Sequence, residues 1–157
     1  MKLGLRKIEK QDKPYFAKWW RDKDLIRLTS GNMKRISARQ LGEYFDFVYK
    51  EDFGFIITLD KRPIGHISLS KRKDGWRETQ IIIGNKKQWG RGFGTKAIKN
   101  LLAIGRKNGI KKIYLNVRPE NIRAMRTYLG CGFVPKGLIY QPQNKNMPLL
   151  VRMELWI

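Results

Sequence analysis

The chain has 157 residues and a mass of 18.5 kDa, and it is 41% apolar and 30% charged. That is enough to bury one domain's core and too apolar for a disordered tail. One cysteine, Cys131, and one histidine, His66, exclude an internal disulfide framework and a His- or Cys-rich metal site. The 34 Lys and Arg against 13 Asp and Glu give a net charge of +21, which points to an anionic ligand or partner or to a basic surface.

The charge is uneven. Residues 1–60 hold 13 basic and 9 acidic side chains, and residues 61–157 hold 21 and 4. The anionic ligand is therefore expected against the second part of the chain. Apolar runs such as Ile81-Ile82-Ile83 fall far short of the roughly 20 residues a membrane span needs. The opening residues, Met1 to Lys7, have neither a long apolar segment nor a cleavage site, so no signal peptide and a cytoplasmic setting are expected.

Leu3 to Ile8 alternates as a strand. Asp12 is predicted to cap a helix with Pro14 near its first turn; Tyr15, Phe16, Trp19 and Trp20 follow at helical spacing, with Lys23–Leu25 left open as its continuation. Ser37 caps a second helix to Lys50, with Leu41, Tyr44, Phe45 and Val48 on one face. Phe53–Leu59 and Ile64–Ser70 are predicted as a hairpin turning at Asp60–Pro63. Trp76–Ile83 follows as a third antiparallel strand after a turn at Lys73–Gly75.

Gly92 to Asn108 is predicted helical, with Ala97, Ile98, Leu101, Leu102 and Gly105 on one stripe and Gly109 as its left-handed terminator. Lys112–Val117 is a strand, Asn121 caps a helix, and Phe133–Tyr140 pairs with Met147–Trp156 around the loop Gln141–Asn146. The predicted fold is α+β (mixed α/β). One domain over 1–157 holds a mostly antiparallel sheet with helices on both faces.

The segment Gln88-Trp89-Gly90-Arg91-Gly92-Phe93-Gly94-Thr95 lies between a strand and an amphipathic helix. Its glycines let a backbone approach a ligand, and a helix start offers free N–H groups and the positive dipole end, a combination that binds phosphate. Lys86, Lys87, Arg91 and Lys96 surround it. It is neither a Walker A loop, which needs Lys-Ser or Lys-Thr after the last glycine, nor a dinucleotide fingerprint, whose spacing is G-x-G-x-x-G.

Residues 83–97, around Gly90-Arg91-Gly92-Phe93-Gly94-Thr95, resemble the acetyl-CoA-binding segment of the GNAT superfamily of N-acetyltransferases. They resemble in particular the branch of ribosomal-protein, spermidine and amino-sugar acetyltransferases. Asn121-x-x-Ala124-x-x-x-Tyr128-x-x-x-Gly132-Phe133 is a second match, and the two span about residues 77 to 137. Trp89 departs from the Gln or Arg usual in most of the superfamily, as that branch often does.

The resemblance implies a sheet of about seven strands, splayed where acetyl-CoA binds. It places the pyrophosphate on main-chain N–H groups of Arg91, Gly92, Phe93, Gly94 and Thr95, with Gly90 beside them. The pantetheine arm would lie along Ile81, Ile82 and Ile83 and contact Asn121, and a backbone N–H near Ile82 or Ile83 would serve the developing oxyanion. Tyr128 is implied as general acid. Glu78, the one acid between Asp74 and Glu120, is the expected base for the attacking amine, with a salt bridge as its alternative role.

The same likeness implies that the acceptor is chosen by the first two helices, the loop around Thr29–Ile36, with Leu28 to Asn32 as candidate lining, and the loop Gln141–Asn146. Cys131 and His66 are expected as packed residues with no nucleophilic partnership. The expected activity is direct acetyl transfer from acetyl-CoA (coenzyme A) to a primary amine. The acceptor is a small molecule, possible anionic ones included, or a protein N-terminus. A basic RNA- or ribosome-associated binder is the alternative, and monomer and homodimer are both open.

Overall fold

The computed structural model describes residues 1–29 and 34–157. Strand β1 (Leu3–Lys7) leads through a 3-10 turn to helices α1 (Lys13–Trp20), α2 (Lys23–Leu28) and α3 (Ala38–Tyr49). Strands β2 (Gly54–Leu59), β3 (Arg62–Lys71) and β4 (Trp76–Ile83) form a meander. Helix α4 (Phe93–Lys107), strand β5 (Lys112–Val117), helix α5 (Ile122–Gly130) and strands β6 (Val134–Tyr140) and β7 (Leu149–Trp156) complete the order.

Local chemistry sets most boundaries. Ser37 caps α3 in a full capping box: its hydroxyl accepts from Gln40 N–H at 3.1 Å, and the Gln40 side chain accepts from Ser37 N–H at 3.0 Å. Helix α4 ends in a Schellman motif, with Gly109 at φ 76° and Ile110 N–H returning to Gly105 O at 3.0 Å. The β2–β3 connection needs only Asp60 and Lys61, both at positive φ, so Pro63 lies inside β3 rather than in the turn.

Two expectations are corrected at the first helix. It is two short helices, because the Asp22 side chain accepts from Asp24 and Leu25 N–H groups and starts α2 afresh. Asp12 does not cap α1 with its side chain. Its carboxylate instead accepts both Arg6 guanidinium arms at 2.8 Å and the Glu9 N–H. Burial alone would raise the Asp12 pKa, but the Arg6 pairing and the Glu9 N–H outweigh it and hold it below the ordinary range.

The seven strands form one sheet, ordered β1-β2-β3-β4-β5-β7-β6. Neighbours are antiparallel except β4 and β5, which run parallel. That parallel pairing covers only Trp76–Lys112, Arg77–Ile113 and Glu78–Tyr114. Beyond Glu78 the two strands diverge, which opens the sheet at its centre.

Helix α4 covers one face, packing Ile98, Leu101 and Leu102 in a core with Ile67, Leu69, Ile113 and Met153. Helices α1 to α3 cover the other, where Phe16, Trp19, Leu25 and Phe45 pack around Ile56. Each such fully buried side chain contributes roughly 1.5–3 kcal/mol. Among the described residues no helix is long and apolar enough to cross a membrane.

Candidate active site

The split between β4 and β5 is the centre of a cleft of about 1070 Å³. It runs between the two faces of the sheet and is lined by α1 to α3 on one side and by the glycine turn and α5 on the other. Alternation along β4 divides the labour. Ile81 and Ile83 pack toward the α4 core, and Ile82 packs toward the α1–α3 cluster. Gly65 lets β4 come this close to β3: a Cβ there would stand 2.0 Å from the Ile82 carbonyl oxygen.

The glycine turn forms as its sequence suggests. Gly90 and Gly92 take φ of 74° and 81°, where a side chain is strained, and a Cβ on either would meet nothing within 4 Å. Gly92 is the N-cap of α4, and Lys96 N–H returns to its carbonyl at 3.1 Å. The amides of Phe93, Gly94 and Thr95, ahead of that bond, are those a helix start leaves without an intrahelical acceptor. Open room in front of these amides and the dipole's positive end suit a phosphate-bearing ligand. The free edge of β4 beyond Glu78 suits an extended chain lying beside it.

Trp89 anchors this turn. Its indole N–H donates to the Ile83 carbonyl at 2.7 Å, and the Arg123 guanidinium stacks on its ring at 3.8 Å. Lys86 bonds to Asp22 and Asp24 at 3.0 and 2.9 Å, tying the turn to α2. These bonds raise its pKa and lower that of Asp24. Lys86 is therefore committed to the protein itself, and the Arg91 side chain bonds Gln88 rather than facing the cleft.

The cleft brings together Glu78, Ile81, Ile82, Ile83, Gly90, Gly92, Phe93, Gly94, Thr95, Asn121 and Tyr128; Arg91 lies off its lining. Asn121 caps α5 by accepting from Ala124 N–H at 3.3 Å. The half-buried Tyr128 packs against Phe133, with ring centroids 6.0 Å apart. Burial, with the Cys131 charge adding, pushes its phenol up to about 12, so it holds its proton at neutral pH. Its hydroxyl has no partner among the described residues. Glu78 accepts from Arg72 Nε and the Tyr114 hydroxyl, each at 3.0 Å.

Leu28 and Thr29 line the cleft, as do Arg35 and Ile36; Ser30, Gly31 and Asn32 lie outside the described residues. The loop Gln141–Asn146 is absent from the described lining and instead offers the Asn146 carbonyl to Arg118.

The sequence gives no signal for three lining residues. Arg72 and Arg123 are ordinary basic positions until the fold turns them inward. His66 is buried at the cleft wall among Phe16, Trp19 and Trp20, at centroid distances of 4.7, 6.0 and 5.9 Å. Burial lowers its pKa to about 4, and its Nε2 has no hydrogen-bond partner among the described residues.

Residues 2–134 match the Acetyltransferase (GNAT) domain family. An aminoglycoside N(6')-acetyltransferase type 1 of Klebsiella pneumoniae is 25% identical over 159 aligned positions, covering 90% of this chain and 79% of that protein. The structure of spermidine N-acetyltransferase from Vibrio cholerae in complex with CoA and spermine superposes with a TM-score of 0.81. It is 23% identical and covers 98% of this chain and 95% of that one. A GNAT-family acetyltransferase from Bacillus anthracis superposes with a TM-score of 0.85 at 17% identity, covering 99% and 95%. At these identities the superpositions establish the fold, and the family match over most of the chain establishes more: the chain belongs to the GNAT acetyltransferase family and is an acetyl-CoA-dependent N-acetyltransferase.

Proposed function

We propose that the enzyme passes an acetyl group directly to a primary amine, with Tyr128 as proton donor and Glu78 as the carboxylate that receives the amine's proton through water. The whole chain acts as one domain in this reading. Bound acetyl-CoA supplies a thioester-activated acetyl group. The amides of residues 91–95 bind its diphosphate, and Asn121 and the free edge of Ile81–Ile83 orient its arm. The N–H near Ile82 or Ile83 faces the developing negative charge.

Most alkyl amines are protonated at neutral pH, so a carboxylate within reach of the attack point accelerates the step. Glu78 is steadied for that task by Arg72 and Tyr114. Tyr128 holds the proton that the departing thiolate needs, and its neutral phenol persists through the working pH range.

The observation that carries the reading is the unpartnered, proton-retaining Tyr128 hydroxyl in the same cleft as the glycine turn. Steady-state thiol release from acetyl-CoA tests it. Tyr128→Phe is expected to lower kcat by about 100-fold and leave acetyl-CoA affinity within a few-fold of wild type. A Tyr128→Phe enzyme with wild-type kcat removes Tyr128 from the chemistry.

A second reading rests on the +21 charge: the basic surface also docks RNA, near a ribosomal acceptor for instance. Binding to a labelled single-stranded RNA should then weaken steeply with added salt, and no binding at low salt ends that reading.

A further inference from the structure

The acceptor half of the cleft has a charge pattern that acetyl transfer itself does not require. Two carboxylates line the cleft, Glu43 and Glu78. Each is already paired: Arg39 Nε lies 3.1 Å from Glu43, and Arg72 Nε lies 3.0 Å from Glu78. Glu154, which faces Tyr114 across β5 and β7, is held by Arg152 at 2.7 Å. Asp22 and Asp24 stand outside the lining and clasp Lys86.

The lining carries Lys34, Arg35, Arg72 and Arg118 besides Arg123, which stacks on Trp89 of the glycine turn. Arg118 spends its guanidinium on the Arg27 and Asn146 carbonyls and is ion-paired to Glu120 at 3.4 Å. Arg72 is committed: Nε bonds Glu78, Nη1 bonds the Lys71 carbonyl, and the guanidinium also interacts with the Tyr114 hydroxyl. Arg35 is exposed and has neither an ion pair nor a hydrogen bond among the described residues.

A polyamine or aminoglycoside brings several ammonium groups and needs unpaired carboxylates to receive them. In this cleft it finds paired carboxylates and a lining with more cations than carboxylates, Arg35 among them unpaired within the described residues. At a partly dry protein surface each uncompensated like charge at contact distance costs on the order of ten-fold in affinity, and each opposite charge returns as much.

We propose that the acceptor is a primary amine that also carries an anionic group, a phosphate or a carboxylate, and that Arg35 sets this preference. The inference rests on the acetyl-transfer reading and narrows its acceptor. It separates this enzyme from relatives named for aminoglycosides and spermidine.

The test measures kcat/KM for glucosamine 6-phosphate against glucosamine, and for 5-aminovalerate against n-pentylamine, with spermidine and kanamycin as polycations. Calorimetry measures the binding of each amine to the CoA-saturated enzyme. At least one anionic amine is expected to exceed its neutral counterpart by about ten-fold or more, with the advantage shrinking as salt rises. The two pairs tell phosphate from carboxylate. Arg35→Glu is expected to erase that advantage. Acetyl-CoA affinity is the control for folding and for the glycine turn.

Spermidine or kanamycin outperforming both anionic amines overturns the inference and leaves the acetyltransferase reading standing. So does an absence of binding by either anionic amine to the CoA-saturated enzyme, or an anionic preference that survives Arg35→Glu. Failure of the wild type to bind acetyl-CoA at all sinks the underlying reading itself.

Discussion

His66 is the chain's one imidazole, and it is buried where a proton is costly. Its folded pKa of about 4 lies below the ordinary 6.5. The unfolded chain therefore takes the proton first, and stability is full above about pH 6.5 and drains as pH falls toward 4. Between about pH 7 and about pH 5 this one group should remove about 2 kcal/mol. Urea unfolding at the two pH values checks it, with His66→Gln expected to flatten most of that slope. An unchanged slope in the variant would mean that His66 is solvated in the folded protein.

The sequence reading of single residues succeeded where the cause is local. Ser37, Gly109 and Asn121 cap as their neighbours require. It failed where the partner comes from elsewhere in the chain. Asp12 has the composition of a helix cap, but β1 brings Arg6 to it and the cap is forgone. Glu78 stands out by its isolation in sequence, whereas its Arg72 and Tyr114 partners follow only from the β3–β4–β5 geometry.

At the scale of elements, the working part is the join between β4 and α4. Three devices hold it: the close approach of β4 to β3 at Gly65, the indole bond from Trp89 to Ile83, and the Lys86 bridge to α2. The first has no slack. A methyl at Gly65 would collide with main chain, which cannot swing aside as a side-chain tip can.

Gly65→Ala is thus expected to lower stability by about 1–3 kcal/mol and to reduce turnover by moving the Ile82–Ile83 backbone. Denaturant unfolding and thiol-release assays read the two effects. A variant with wild-type stability and rate would show that β4 is not seated by this contact. Helix α4 was fully legible, because its apolar stripe and Schellman stop are written in consecutive residues. The split of the first helix at Asp22 was not, because apolar spacing continues across it.

At the scale of the whole molecule, the sheet order and the single parallel pair explain why the cleft exists. A β4 that is antiparallel to β3 and parallel to β5 is followed by α4 as a crossover, and the short β4–β5 pairing leaves the strand ends apart. The glycine turn lies at the carboxyl end of β4, at that opening, and sequence spacing was sufficient to place it there. The wall opposite the glycine turn was unreadable, since α2, α3, β3 and β4 contribute it from widely separated positions. The uneven charge was visible from counting alone, yet which cations face the cleft emerged only from the packing.

The account stands on main-chain amides of residues 91–95 holding the diphosphate of acetyl-CoA, and one titration addresses that directly. Calorimetry of acetyl-CoA with wild type and with Gly92→Val, both shown folded by circular dichroism, compares a free helix start with one whose φ of 81° a branched side chain resists. Wild type is expected to bind in the micromolar range, and Gly92→Val about 100-fold or more weaker. A folded Gly92→Val protein that binds within a few-fold of wild type would contradict the account.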